Sequence, residues 1–387
     1  MAYDSRNALS ALPLPSVTGD CQWRRVLITY PIPLIPGPTT VPDRILQAYL
    51  TDYGSGDSEA EYSELYAETQ DRLRSLFRTQ NQIAIMTGEG MAALWGALKS
   101  CVQPGDRVLS VATGIFGYGI GEMAEQIGAH VRTVGFDYDS TADPVAVEVA
   151  IQEFRPKVVT AVHCETPSGT LNPVKAIGKL VRQYEVPLFY VDAVASVGGA
   201  PMEVDAWGID LCLGGSQKCL SAPPDMAFVT VSDRAWERVK EVRYVGYDAL
   251  GPWQTALADR WYPYTPSWHS TAAVNIACQV LLEEGLEAAI DRHSRVAAHC
   301  RNRLEQIGLE LFPKRVEDAS PTVSVVKIPP FIEWPLLNQR FRERGLAVGG
   351  AFGPLAGKVF RIGHMGAQAN LSLVDKGLDV IENCIRR

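Results

Sequence analysis

Short apolar runs, each closed by a turn and followed by an amphipathic stretch, recur along most of the chain. Residues 83–86, 107–111, 158–162, 188–191, 211–213 and 227–231 are mostly apolar over three to five positions and read as strands. Between several of them, residues 91–101, 117–127, 143–154 and 174–184 show helical spacing, and 59–78 does so ahead of the first strand, with Leu65, Leu73, Leu76 and Phe77 among charges. Such alternation predicts an α/β fold with a mostly parallel sheet covered on both faces, whose ligands sit at the carboxyl ends of the strands. Residues 35–42 (Ile-Pro-Gly-Pro-Thr-Thr-Val-Pro) can be neither helix nor central strand and read as an ordered loop. One long helical pattern covers 270–307, and 320–387 returns to strand, helix, strand, helix. The expected organisation is a lead-in over 1–34, a large domain over 35–275 and a smaller C-terminal α/β domain over 276–387.

Composition narrows the function. A chain of 387 residues, 47% hydrophobic, can bury more than one core. Its net charge of -8 is spread without basic blocks, so nothing here attracts a nucleic-acid backbone. The eight cysteines form no CxxC pair and no ligand spacing with histidine, which points to a reducing, cytoplasmic setting and to no structural metal. No apolar run approaches the ~18 residues of a membrane span. Pro13 and Pro15 interrupt the mildly apolar 8–17, which argues against a secretory leader.

Two segments carry candidate chemistry. Gly214-Gly215-Ser216-Gln217-Lys218-Cys219-Leu220 places a lysine in a tight turn just after a strand, where burial and a neighbouring cation would favour a neutral, nucleophilic amine. Tyr190-Val191-Asp192-Ala193 ends another strand on an acid that could meet the same ligand and keep a ring nitrogen protonated. Taken singly, a solvated loop lysine and a helix-capping aspartate are equally ordinary explanations.

Asp192-Ala-Val-Ala-Ser, Ser216-Gln-Lys218 and Arg361-Ile-Gly-His-Met-Gly366 together resemble the alanine-glyoxylate and serine-pyruvate aminotransferase group of the class V, fold-type I pyridoxal enzymes. The resemblance runs from about Ile35 to the C-terminus. It implies a homodimer with shared active sites, and pyridoxal phosphate as cofactor. Lys218 would form the Schiff base, Asp192 would partner the ring nitrogen, and Phe116 would stack on the ring. Thr166 and Ser168 would lie near the 3-hydroxyl and Gln217 near the 5′ arm, with Tyr262 and Thr265 reaching in from the neighbouring subunit. Arg361 would hold the substrate carboxylate as a bidentate fork, with Gly37 also on the substrate side.

Thr87-Gly88-Glu89-Gly90-Met91 stands where a strand opens into a helix, the arrangement that presents N–H groups to a phosphate. Many relatives carry Ser-Gly-Ser-Gly-His there, and a carboxylate at Glu89 opposes a phosphate. Pyridoxamine-pyruvate transaminase, a member of the same group that takes unphosphorylated pyridoxamine, has a Gly-Glu pair in this place. Its additional arginine falls at Phe352 here. Alternatively, Glu89 points away as a first-turn helix acid. His163, Cys164 and His364 are expected to pack rather than to ligate, and Cys219 to be a small buried residue.

The expected reaction is amino transfer from a small-molecule amino donor to a small 2-oxo acid, pyruvate or glyoxylate. Pyridoxamine itself as donor and a pyridoxal-dependent lyase on the same fold are the alternatives.

Overall fold

The computed structural model describes residues 30–386, so the expectation for the first 29 residues lies outside them. Seven strands form the main sheet: β2 (Gln82–Thr87), β3 (Arg107–Ala112), β4 (His130–Gly135), β5 (Val158–Val162), β8 (Leu188–Asp192), β9 (Leu211–Gly215) and β10 (Met226–Val231), in the order β2-β10-β9-β8-β5-β3-β4. A short hairpin, β6 (Cys164–Glu165) with β7 (Thr170–Leu171), follows β5. Only β10 runs against its neighbours. Strands β5, β8, β9 and β10 are buried at every position, because helices cover both faces; unbroken apolar runs are what such strands require. The edge strand β4 was not expected: none of its positions is buried, so it admits His130 and Arg132, which break the apolar signal.

A second sheet, β1-β12-β13-β11, combines β11 (Val323–Lys327), β12 (Leu346–Gly350) and β13 (Val359–Gly363) with β1 (Ile32–Leu34) from the far end of the chain. Residues 32–34 were grouped with the lead-in, yet they pair in parallel with β12, and Leu34 is fully buried in the C-terminal core. An edge strand tolerates Pro33, and the flanking prolines hid it. The long pattern over 270–307 is two helices, Trp268–Glu284 and Leu286–Gln306, broken at Gly285 with φ +89°. The other expected helices are present with ends shifted by two residues at most.

The topology positions the site. The segments that follow β2, β3, β5, β8 and β9 all leave carboxyl ends of parallel strands, so residues 88–91, 113–116, 163–168, 192–195 and 216–218 gather at one end of the sheet.

Candidate active site

Asp192 and Lys218 converge because β8 and β9 are neighbours, with Asp192 opposite Leu213. Both line one cavity, together with Glu89, Met91, Phe116, Cys164, Thr166, Val194 and Ala195. Lys218 is held in a turn closed by hydrogen bonds from Ser221 N–H to Lys218 O (3.0 Å) and Ala222 N–H to Ser216 O (2.9 Å). Its Nζ donates to Pro36 O at 2.8 Å. Burial, and then the charge of Arg361, lower the pKa of the amine. Asp192 accepts the Val194 N–H at 2.9 Å, and burial pushes its carboxyl up to about 6.

The 35–42 loop is built around this lysine. A Cβ on Gly37 would stand 2.5 Å from Lys218 Nζ, and its φ of +89° favours glycine as well. Thr39 Oγ1 donates to Lys218 O (3.0 Å), which fastens the loop to the lysine turn.

At the β2 end, Gly88 N–H donates to Asp225 O (2.7 Å) and Thr87 N–H to Tyr264 Oη (2.9 Å). Glu89 caps the helix Gly90–Cys101: its carboxylate accepts the Met91 N–H at 2.9 Å and, through its other oxygen, a hydrogen bond from Gln217 Nε2. Glu89 therefore does not turn away from the site. The chain places its own anion at the helix terminus that was expected to cradle a phosphate. Gly90 packs beneath Val194, where a Cβ would lie 3.1 Å from a valine methyl.

Phe116 opens the helix Ile115–Ile127 and lines the cavity. That helix is held in place by a residue for which no role was expected. Glu165 is fully buried, and its carboxyl accepts Gly117 N–H (2.8 Å) and Phe116 N–H (3.4 Å). Burial pushes it up to about 8. The one available signal was an acid at a strand end directly before Thr-Pro-Ser-Gly, which reads as an ordinary turn.

Arg361 lies on β13 with Nε donating to Gly350 O (2.8 Å). It is only 9% exposed, yet it makes no ion pair with an acid among the described residues. Burial pulls its guanidinium down to about 10. Phe352 covers its face at 5.0 Å.

The aminotransferase class-V family model matches residues 35–354, most of the chain. The chain belongs to the class-V aminotransferases. An uncharacterized aminotransferase of Methanocaldococcus jannaschii is 37% identical, covering 90% of this chain and 94% of its own length. The pyridoxamine–pyruvate transaminase of Mesorhizobium japonicum is 33% identical over 81% of each. The crystal structure of an alanine–glyoxylate aminotransferase from Nostoc sp. superposes with a TM-score of 0.89 at 30% identity, covering 99% of both chains.

Not every residue expected in the site of this class-V aminotransferase lies there. Ser168 is absent from the cavity wall; its hydroxyl meets Thr170 Oγ1 (2.9 Å) and donates to Glu165 O (3.3 Å), closing the β6–β7 hairpin. Tyr262 does not reach outward. It is buried in the chain's own aromatic cluster, 5.2 Å from Tyr62 and 5.4 Å from Tyr66 between ring centroids. Tyr264, two residues on, is the tyrosine that bonds the Thr87 backbone, while Thr265 is exposed. His163 pairs with Ser196 Oγ (2.9 Å) and His364 with Ser324 Oγ (2.8 Å), and burial holds them down to about 4 and about 3. Cys219 is buried, its thiol pushed up to about 12.

Proposed function

We propose that this class-V aminotransferase transfers an amino group from a small amino donor to pyruvate or glyoxylate, with Lys218 as the amine that carries the chemistry. The observation behind this is a set of three ionisable groups that form no ion pair among the described residues: the Lys218 amine, bonded to a backbone carbonyl, and the buried Asp192 in one cavity, and the buried Arg361 guanidinium, whose charge acts on Lys218. Each is costly to bury without a ligand of opposite or complementary character. The set fits a pyridoxal group, which the family implies.

Pyridoxal supplies an aldehyde that condenses with primary amines and a ring that takes up electron density when the donor carbon loses its proton. Asp192 would hold the ring nitrogen protonated, Phe116 and Thr166 would flank the ring, and Thr87, Gly88, Glu89, Gly90 and Gln217 would bound the 5′ arm. Lys218 Nζ is the base that takes the proton from the donor carbon; burial and the charge of Arg361 lower the pKa of its conjugate acid, which favours the neutral form that can accept it. Arg361 would receive the substrate carboxylate on the guanidinium nitrogens that Gly350 O leaves free. Gly37 leaves the Lys218 amine uncrowded. A homodimer fits the exposed Val245, Tyr247 and Trp261, with Thr265 on the same loop as a residue for the second subunit's site. Among the described residues no helix is long and apolar enough to cross a membrane.

Glu89 favours a second reading in which the donor is unphosphorylated pyridoxamine. A phosphate charge about 5 Å from this carboxylate would be disfavoured by about 3 kcal/mol per charge pair at an effective dielectric constant near 20. A hydroxymethyl group would instead donate to it. Visible absorbance and coupled assays of the purified protein separate the two. A lysine-dependent visible band that Lys218→Ala abolishes supports resident pyridoxal phosphate. A colourless protein that turns pyridoxamine and pyruvate into pyridoxal and alanine supports the second reading. Neither colour nor amino transfer would sink both.

A further inference from the structure

We propose that Gln368 is a positioning residue for the Lys218 amine: its side chain clamps the 35–40 segment to the second sheet and so holds Pro36 O where Nζ bonds it. The proposal rests on Lys218 being the amine that reacts with pyridoxal, whichever amino donor and acceptor the protein uses.

Pro36 O is the one hydrogen-bond acceptor of Lys218 Nζ among the described residues. Pro36 and Pro38 have no N–H, so this stretch depends on its neighbours to be tied down. Thr39 fixes one point, with its N–H on Gln217 O (3.0 Å) and its hydroxyl on Lys218 O (3.0 Å). Gln368 brackets the stretch from both sides. Its Nε2 donates to Ile35 O (2.9 Å), ahead of Pro36, and its Oε1 accepts the Thr40 N–H (2.8 Å), beyond Thr39. Nε2 also donates to Gly363 O (2.8 Å), at the end of β13, the strand that carries Arg361.

Only a side-chain amide offers two donors and an acceptor at this reach. Gln368 is 1% exposed, and an apolar residue there would take the acceptor from Thr40 N–H and a donor from both carbonyls. The backbone beneath it is just as close. A Cβ on Gly363 would stand 2.4 Å from Ile35 O and from Pro36 Cα, and one on Gly349 would stand 2.9 Å from Pro36 Cδ and 3.4 Å from Arg361 Nη2. Pro36 is therefore seated on β12 and β13 beside the guanidinium, with its carbonyl on the amine of the main-sheet turn. A neutral amine that donates to this carbonyl keeps its lone pair for an aldehyde carbon; the C=N bond forms there and water leaves. Gln368 touches neither reactant and acts through Pro36. It also links Arg361, on the second sheet, to Lys218, on the first.

The test uses Gln368→Met, which keeps the length and loses all three bonds, and Gln368→Glu, which keeps an acceptor for Thr40 N–H and loses the donors. Pyridoxal is the probe. Its rate of reaction with each protein is followed by absorbance from about pH 6 to about pH 10, less the rate with Lys218→Ala. Loss of the Pro36 O bond removes support for the charged amine, while Arg361, Cys164, Glu89 and Asp192, the other groups that face it, stay in place. The pH midpoint of the reaction should fall by about one pH unit in Gln368→Met. Its kcat should fall roughly 30-fold with KM for pyruvate within about 3-fold, and calorimetric binding of butyrate at Arg361 should be unchanged. A midpoint and kcat unmoved in both variants would overturn the assignment. So would a rise in KM and a loss of butyrate affinity that match the fall in kcat, which is what a general loosening of the second sheet gives. If Gln368→Met does not fold, Gln368→Glu is judged by the same readouts. No Lys218-dependent reaction of wild type with pyridoxal would overturn this assignment and the role of Lys218 together. Absence of amino transfer, with a midpoint that still falls in the variants, would sink the amino-transfer reading and leave this one standing.

Discussion

Glu165 should make the cofactor-free protein less stable as pH rises through neutrality, and Glu165→Gln should remove that dependence. The carboxyl has no exposed surface and sits at about 8 in the folded chain against an ordinary value of 4.5, first because of burial, which the hydrogen bonds from Gly117 and Phe116 only partly offset. A raised acid pKa means that the folded state holds the proton more tightly than the unfolded state. Its stabilisation is complete below about pH 4.5 and is lost as pH climbs through the folded value. The slope reaches at most about 1.4 kcal/mol per pH unit, which gives a loss of about 2 kcal/mol between pH 6 and pH 8. Glutamine keeps an acceptor for Gly117 N–H and has nothing to ionise. Urea unfolding followed by tryptophan fluorescence at pH 6, 7 and 8 should show wild type losing about 2 kcal/mol relative to Glu165→Gln across that range; contributions from groups that do not interact with Glu165 cancel in the difference, and Asp192, whose charge helps raise the Glu165 pKa, is the neighbour that does not. If the two proteins stay parallel within about 0.5 kcal/mol, Glu165 is not protonated by burial and the account of its site is wrong.

Arg361→Lys should raise KM for the 2-oxo acid by roughly 30-fold with a smaller change in kcat, since a point charge replaces a fork worth about 2 kcal/mol; steady-state kinetics would show it. Gly37→Ala should cut kcat by roughly 100-fold, because its methyl would stand 2.5 Å from Lys218 Nζ, and turnover by the soluble variant reads the effect directly. Glu89→Ser should tighten pyridoxal phosphate binding by roughly 100-fold while weakening free pyridoxal, measured by absorbance titration of each. Gly178→Ala would ordinarily stabilise a helix, but here its Cβ would lie 2.0 Å from Trp207 O, so a loss of about 1 to 3 kcal/mol in urea unfolding is expected.

The sequence exposed the strands that the sheet buries on both faces and concealed those it does not. β8 and β9 were legible because their residues are apolar or glycine up to the carboxyl-end Asp192, whereas β4 and β1, at sheet edges, admit arginine, histidine and proline. The same rule separates the expected site residues that line the cavity from those that do not. Asp192 and Lys218 sit at ends of buried parallel strands, so the fold's handedness alone delivers them to one cavity. Tyr262 and Ser168 lie on connecting segments, where a shift of two positions changes what a side chain meets; Tyr264 reaches the Thr87 backbone and Tyr262 packs in the aromatic cluster. Glu89 shows where a motif underdetermines chemistry. The letters Thr-Gly-Glu-Gly-Met announced a helix terminus and an acid at odds with a phosphate, but not which oxygen met which donor. With Met91 N–H and Gln217 both bound to that carboxylate, a phosphate at this helix terminus would compete with it for the Met91 N–H as well as face its charge, whereas a hydroxyl would donate to it.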